Sequence, residues 1–330
     1  MALPHFFVIG VPKAGTTALH VALDAHPQLF MSRVKEPKFF LTDGPPPARG
    51  GPGDAKTFRE HVWRRDEYEA LFDDAPPGTL RGESTPFYLY DAIAQQRIRA
   101  AVPDARLVAV LRDPIDRAHS NWAHLWSAGL ESESDFVAAC QLEEQRAAQG
   151  WAPFWRYLDL GRYGGQLERL LHTFPREQVL VLRYRQLRED PAGTLQAIYA
   201  HLGVATDGPL TIPAENVTAH ATPTVRNRAV ATAVRAAHAV EHRLPKAWWP
   251  RIDAVLARRL QAEQRPRQPL TPAQRAALVP ALEADVRLLE RVTGESFADW
   301  LDPHGPARRT TLSPTRRIGT AHSSIDRPLG

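Results

Sequence analysis

The sequence predicts an α/β fold with a central, mostly parallel sheet flanked by helices. Three observations carry that expectation. The runs Phe6–Ile9, Arg106–Leu111 and Val179–Leu182 are nearly continuously apolar, as strands buried on both faces of a sheet must be. Amphipathic helical spacings lie between them, so strand and helix alternate. The first two runs each end in a short turn that opens a helix.

In chain order, the apolar run Phe6–Ile9 is expected to form the first strand, and a helix runs from about Thr16 to Ala25. Leu19, Ala22 and Leu23 give that helix one apolar face, and Pro27 ends it. Gly44–Gly53 is rich in Pro and Gly, lacks periodicity and reads as a loop that could form a lip over a site. Thr79–Glu83 could be a short strand. After the strand Arg106–Leu111, Asp113 serves as N-cap and Pro114 as first helical residue. Leu167, Leu170, Leu171 and Phe174 mark an amphipathic helix stopped by Pro175. Leu195, Ile198, Tyr199 and Leu202 mark another, stopped by Gly203. Beyond about residue 225 the chain reads as helical. Leu278, Leu282, Val286 and Leu289 share a face, Gly294 ends that helix, and Phe297, Trp300 and Leu301 dock back. A single α/β domain is expected over 1–302, its C-terminal part helical. A disordered tail is expected over 303–330, where apolar periodicity stops.

With 330 residues, 43% of them hydrophobic, a sizeable core is available. A net charge of +4, without a sustained basic run interleaved with aromatics before the C-terminal tail, argues against a nucleic-acid partner. Cys140 is the one cysteine, which excludes an intramolecular disulfide framework and a Cys-rich zinc site. The start Met-Ala-Leu-Pro-His runs straight into an apolar run, so no signal peptide is expected. No apolar run approaches the ~20 residues of a membrane span, so a soluble cytoplasmic protein is expected. Lysines are sparse, yet Lys13, Lys35 and Lys38 share one short segment. Either chance or a need for compact, flexible cations put them there.

The stretch Gly10-Val11-Pro12-Lys13-Ala14-Gly15-Thr16-Thr17 takes a strand into a helix through a glycine-bounded turn. Such a turn offers backbone N–H groups and the positive end of a helix to an anion. The glycine spacing is that of a P-loop. A nucleoside-triphosphate P-loop, however, places Lys directly after the second glycine, followed by Ser or Thr. Here Lys13 precedes Gly15, which points to a phosphate site of another kind. A second anion site is suggested at Arg112–Ser120. Arg112 sits at the carboxyl end of a buried strand, the edge where open parallel sheets bind ligands. Ser120, in the second turn of the following helix, can turn its hydroxyl to the same edge. The alternative pairs Arg112 with a surface acid and leaves Ser120 solvated.

The two sites together resemble the sulfotransferases that use 3′-phosphoadenosine 5′-phosphosulfate (PAPS) and release the bisphosphate PAP. The resemblance implies a P-loop-like three-layer fold. It implies that Lys13, Ala14, Gly15, Thr16 and Thr17 form the 5′-phosphosulfate loop, and that Arg112 and Ser120 hold the 3′-phosphate. It spans the chain from about Phe6 to Trp300 and is closest to the branch containing the heparan sulfate sulfotransferase domains and their bacterial relatives. In that branch Lys35-Glu36-Pro37-Lys38-Phe39-Phe40 resembles the segment bearing the catalytic carboxylate, implying Glu36. Glu83-Ser84-Thr85-Pro86-Phe87-Tyr88 resembles a second active-site segment. Val181-Leu182-Arg183-Tyr184, followed by Asp190-Pro191, resembles the strand after which a tyrosine approaches the adenine, implying Tyr184. Pro223-Thr224-Val225-Arg226-Asn227-Arg228 resembles a late basic loop that closes over the nucleotide, implying Arg226 and Arg228; a solvated helix start is the other reading. Two departures alter the acceptor side. Ser84 stands where relatives acting on heparan often carry Lys, and Lys38 where some carry His.

The resemblance implies in-line transfer of a sulfuryl group from PAPS to a hydroxyl or amine of a small-molecule, carbohydrate or lipid acceptor. Glu36 would accept the acceptor's proton and Lys13 would stabilise the leaving phosphate, with no metal required. Two other classes share features with the chain. A P-loop nucleotide kinase or NTPase would need Lys at the position of Thr16 and an acidic Mg²⁺ ligand, for which Asp113 could serve superficially. A catalytically silent PAP-binding protein would not need both Lys13 and Glu36. Glu36 could also be paired with Lys35 or Lys38 on a solvated loop. Trp63, Trp122, Trp126, Trp151 and Trp155 could line a sugar or aromatic pocket, although buried Trp more often fills core.

Overall fold

A computed structural model gives a five-stranded parallel sheet flanked by helices, and describes residues 2–47, 50–213, 220–221, 232, 264–265 and 269–305. The strands are β1 (Phe6–Gly10), β2 (Leu29–Met31), β3 (Leu80–Ser84), β4 (Arg106–Leu111) and β5 (Val179–Arg183). Their spatial order is β2-β3-β1-β4-β5, with every pairing parallel. The apolar runs have a direct cause in that order. β1 is wholly buried and β4 is buried except for Arg106, because each lies between two other strands. β2 was not foreseen: a three-residue edge strand is too short to show a period.

The helices with described bounds are α1 (Thr16–Asp24), α2 (Asp54–Arg59), α3 (Arg65–Glu69), α4 (Ala92–Ala101), α5 (Pro114–Ser127), α6 (Phe136–Gln141), α7 (Glu143–Ala148), α8 (Tyr163–Thr173), α9 (Tyr184–Glu189), α10 (Pro191–Leu202) and α11 (Pro272–Thr293). Their ends obey the expected chemistry. Asp113 accepts from the N–H groups of Ile115 and Asp116, with Pro114 in the first turn of α5. Gly203 and Gly294 cap α10 and α11 in the left-handed conformation. Leu278, Leu282, Val286 and Leu289 are all buried, as are Phe297 and Trp300. One departure concerns the stretch beyond 225. His220–Ala221 pairs antiparallel with Gln264–Arg265 (β6 and β7), so that region is not wholly helical. Two-residue strands carry no periodic signal. Arg226, Arg228 and residues 306–330 of the expected tail lie outside the described residues.

Among the described residues two apolar clusters form the core. One surrounds the sheet; the other sits beside α5 and includes Trp122, Phe136, Trp155, Tyr157, Leu278 and Leu282. Trp122 and Trp155 are 7% and 1% exposed and so are core, while Trp63 is 39% exposed. The Gly44–Gly53 loop is fastened at its C-terminal end. Asp54 accepts from the backbone N–H of Gly51 and of Ala152 and from the Trp155 indole, and Gly51 lies so close to Trp151 that a Cβ would come within 2.5 Å of its ring.

Candidate active site

The carboxyl ends of neighbouring parallel strands lie side by side, roughly 4.8 Å apart. Along this edge, in the order β3, β1, β4, β5, stand the segment carrying Glu36, the Lys13 loop, Arg112 and Tyr184. Residues far apart in sequence are therefore neighbours because of sheet topology alone.

In the β1–α1 turn the two glycines are glycines for different reasons. A Cβ on Gly10 would meet Leu89 at 2.9 Å. Gly15 has φ 79° and is the N-cap of α1, and no side chain caps that helix. The first-turn N–H groups thus lack intrahelical partners and face the sheet edge with the positive helix end. The Ala14 N–H turns back to the Val11 carbonyl (3.2 Å), so it shapes the turn. Thr16 is buried and Thr17 exposed. Lys13 itself has φ 69°. The Arg112 Nη1 donates to the Lys13 carbonyl at 2.7 Å, and the guanidinium lies 4.9 Å over the Tyr184 ring. Three predicted residues from three separate elements thereby form one chain of contacts. Among the described residues no carboxylate pairs with Arg112. Ser120 lies half-buried on α5.

The frame of α5 is fixed from a distance. Arg275 of α11 reaches Asp113 Oδ2 (2.7 Å), Asp116 Oδ1 (3.1 Å) and the carbonyls of Trp300 and Asp302. Burial pushes the Asp113 carboxyl up to about 6, with Asp116 adding to the rise against the pull of Arg275. Both Asp113 oxygens are engaged, by the cap and by Arg275, which removes it as a ready Mg²⁺ ligand. Nothing local announced Arg275, which stands 162 residues downstream of its partner.

The Glu36 segment docks on the end of β3 through alternate backbone donors. Glu36 N–H reaches the Ser84 carbonyl (3.0 Å), Lys38 N–H the Thr85 hydroxyl (3.3 Å) and Phe40 N–H the Tyr88 hydroxyl (3.3 Å). Glu36 and Lys38 have φ 61° and 62°; with Lys13 they are the non-glycine residues of positive φ among the described residues. Each such residue costs roughly 1–3 kcal/mol and persists only where its surroundings dictate it. The Lys35 ammonium contacts Glu36, and their side chains are 20% and 28% exposed, so this pair exists but not on a solvated loop. Lys38 is buried and pairs with Glu60 at 3.7 Å.

Glu83 lies beneath this segment, fully buried. Its Oε1 accepts from the Tyr68 and Tyr88 hydroxyls (2.8 and 2.9 Å) and its Oε2 from Thr85 (3.0 Å). Burial pushes its carboxyl up to about 7 against the opposing effect of those hydroxyls. Ser84, the departure noted in the sequence, meets His20 Nδ1 at 3.1 Å. Burial and then the Lys35 ammonium lower His20 to about 4. His124 on α5 is lowered to about 4 by burial and then by Lys13, and its Nδ1 has no hydrogen-bond partner among the described residues. Both histidines carried a legible signal. His20 interrupts the apolar face of α1 between Leu19 and Leu23, and His124 follows Ser120 by one helical turn. Among the described residues no cluster of His, Cys, Asp and Glu could hold a metal ion, and no helix is long and apolar enough to cross a membrane.

This site can be set against known proteins. The heparan sulfate glucosamine 3-O-sulfotransferase 3B1 of Mus musculus is 31% identical over 203 residues, covering 61% of this chain and 46% of that protein. The bifunctional heparan sulfate N-deacetylase/N-sulfotransferase 3 of Homo sapiens is 29% identical over 228 residues, covering 61% of this chain and 22% of that protein. The chain thus spans less than half the length of either relative. A solved sulfotransferase from Alicyclobacillus acidocaldarius matches with a TM-score of 0.69 and 28% identity, covering 91% of this chain and 99% of that one. A sequence profile of the sulfotransferase family matches residues 4–208, the stretch from β1 through α10 that holds the loop, the Glu36 segment, Arg112 and Tyr184, and the chain belongs to that family.

Proposed function

We propose that the protein transfers a sulfuryl group from PAPS to a hydroxyl or amine of an acceptor. The observation that carries this reading is the contact chain from the Lys13 carbonyl through Arg112 to the Tyr184 ring. It ties the 5′-phosphate loop, the 3′-phosphate arginine and the adenine neighbour into one unit. The residues fit the donor. The uncapped start of α1 suits a phosphate, with N–H groups of Gly15, Thr16 and Thr17 and the threonine hydroxyls as its donors. Arg112 and Ser120 take the 3′-phosphate, and Tyr184 borders the adenine. Arg226 and Arg228, outside the described residues, are proposed as further contacts to the nucleotide.

PAPS supplies the activated sulfuryl group. Glu36 receives the proton of the attacking hydroxyl or amine as the new bond to sulfur forms. The bond from sulfur to the bridging oxygen breaks, and its electron pair leaves with the 5′-phosphate. Negative charge grows on that oxygen, where the Lys13 ammonium offsets it, a contribution of roughly 10²–10³ in rate. The heparan sulfate named for the curated relatives favours a carbohydrate acceptor over a small-molecule or lipid one, with a pocket altered at Ser84 and Lys38. The engagement of Asp113 by Arg275 weighs against an NTPase.

The test is incubation with labelled PAPS and an extract of host small molecules and glycans, read by mass. A product heavier by one SO₃ group, formed with release of PAP and unaffected by EDTA, is expected. Tight PAP binding without transfer to any sugar, alcohol, amine or phenol would point to a silent binding protein. ATP turnover abolished by EDTA would point to an NTPase.

A further inference from the structure

Glu83 is a buried carboxylate with no cationic partner among the described residues; three neutral hydroxyls surround it instead. When ionised Glu83 can only accept, and each hydroxyl then spends its single proton on it, the direction these three hydrogen bonds take. The hydroxyl lone pairs then point outward. Thr85 uses its own to receive the Lys38 N–H, and Tyr88 to receive the Phe40 N–H. The Ser84 carbonyl, next to Glu83 in sequence, receives the Glu36 N–H. Every second N–H from 36 to 40 is thus fixed by the Glu83–Tyr88 segment, across the two residues of left-handed backbone. Tyr68 differs. It donates to Glu83 and stacks on Phe39 at 4.2 Å, but receives no N–H of this segment among the described contacts.

We propose that Glu83 is a positioning residue for Glu36: by orienting the Thr85 and Tyr88 hydroxyls as acceptors, it holds residues 36–40 in the strained conformation that presents the Glu36 carboxylate. This rests on the reading of Glu36 as the base. The three hydroxyls permit an internally controlled test, because each removal deletes one hydrogen bond to Glu83 but only two delete a link to the segment.

The variants are Thr85→Val, Thr85→Ser, Tyr88→Phe, Tyr68→Phe, Glu83→Gln and Glu36→Gln, each measured for kcat, PAPS KM, melting temperature and amide exchange over residues 35–41. Thr85→Val, Tyr88→Phe and Glu83→Gln are expected to lower kcat by roughly 10- to 100-fold, the scale of a small misplacement of a reacting group. PAPS KM should stay unchanged while exchange at 35–41 accelerates. Thr85→Ser restores the hydroxyl and should recover most of kcat. Tyr68→Phe should lower the melting temperature comparably yet leave kcat and local exchange near wild type. The proposal is overturned if kcat tracks the melting temperature across the set, Tyr68→Phe included, or if the two link-breaking variants keep wild-type kcat while Glu36→Gln is inactive. If Glu36→Gln retains wild-type kcat, the base reading has failed by itself. The exchange pattern then decides whether Glu83 holds the segment, unchanged exchange overturning the proposal.

Discussion

The Lys13 loop and the Glu36 segment both rest on left-handed, non-glycine backbone, but they are held in opposite ways. Lys13 is held by a cation, Arg112, which lies at the ligand edge beside Tyr184. Behind it a second cation, Arg275, fixes the helix that follows Arg112. Glu36 is held from below by neutral hydroxyls gathered on one buried carboxylate. On the donor side, then, the group that shapes the loop is also the one proposed to meet the phosphate, so shape and binding would change together. On the acceptor side the shaping group, Glu83, is distinct from the proposed base, Glu36, so the two can be changed independently.

The largest effect that could break this contrast belongs to Glu36. Glu36→Gln should lower kcat by roughly 10²–10⁴-fold while PAP affinity, read by calorimetry, stays unchanged. Loss of PAP affinity alongside would mean that the two sides are not separable. Next comes Arg275→Met, which leaves Asp113 and Asp116 buried or half-buried without their cation. About 3–5 kcal/mol of stability should be lost by denaturant unfolding, and Asp113→Asn in the same chain should return part of it. Arg112→Ala should weaken PAP by about 10–100-fold and lower kcat as well, since the Lys13 carbonyl loses its donor. Arg112→Lys should restore little, because a compact ammonium cannot both reach that carbonyl and sit over the Tyr184 ring.

A smaller effect concerns pH. His124 is lowered from 6.5 to about 4 in the folded chain. The unfolded chain therefore binds the proton more readily between those values. His124 contributes its full stability above about pH 6.5, and that contribution is lost as pH falls toward 4. His124→Leu should remove about 2 kcal/mol of the acid-side loss, measured as stability at pH 7 against pH 4.5. His20 shifts in the same direction, so a residual slope of the same sign should remain.

Much of the donor side was legible because it is local. β4 begins and ends where its apolar run does, Asp113 caps α5, and Gly10 to Thr17 form the strand–turn–helix that the residue types dictate. That Arg112 would stand at the ligand edge followed from strand ends gathering there, whereas Tyr184 was implied by the family resemblance and its contact with Arg112 is visible only in the fold. The acceptor side was legible only as a segment. That Glu83 would sit beneath Glu36, and that Tyr68 from α3 would join it, depends on packing between elements with no shared period. The same holds for Arg275 and for the β6–β7 pair. Trp155 illustrates a choice that residue type left open and burial closed in favour of core.

The central claim is a clamp for two phosphates on one sheet edge, and titration of the protein with PAP and with AMP, in EDTA, tests it most directly. The two ligands differ only in the 3′-phosphate assigned to Arg112 and Ser120. PAP is predicted to bind at least about 10–100-fold more tightly than AMP, with that advantage largely lost in Arg112→Ala. Equal affinity for PAP and AMP, or an advantage that survives Arg112→Ala, would contradict the account.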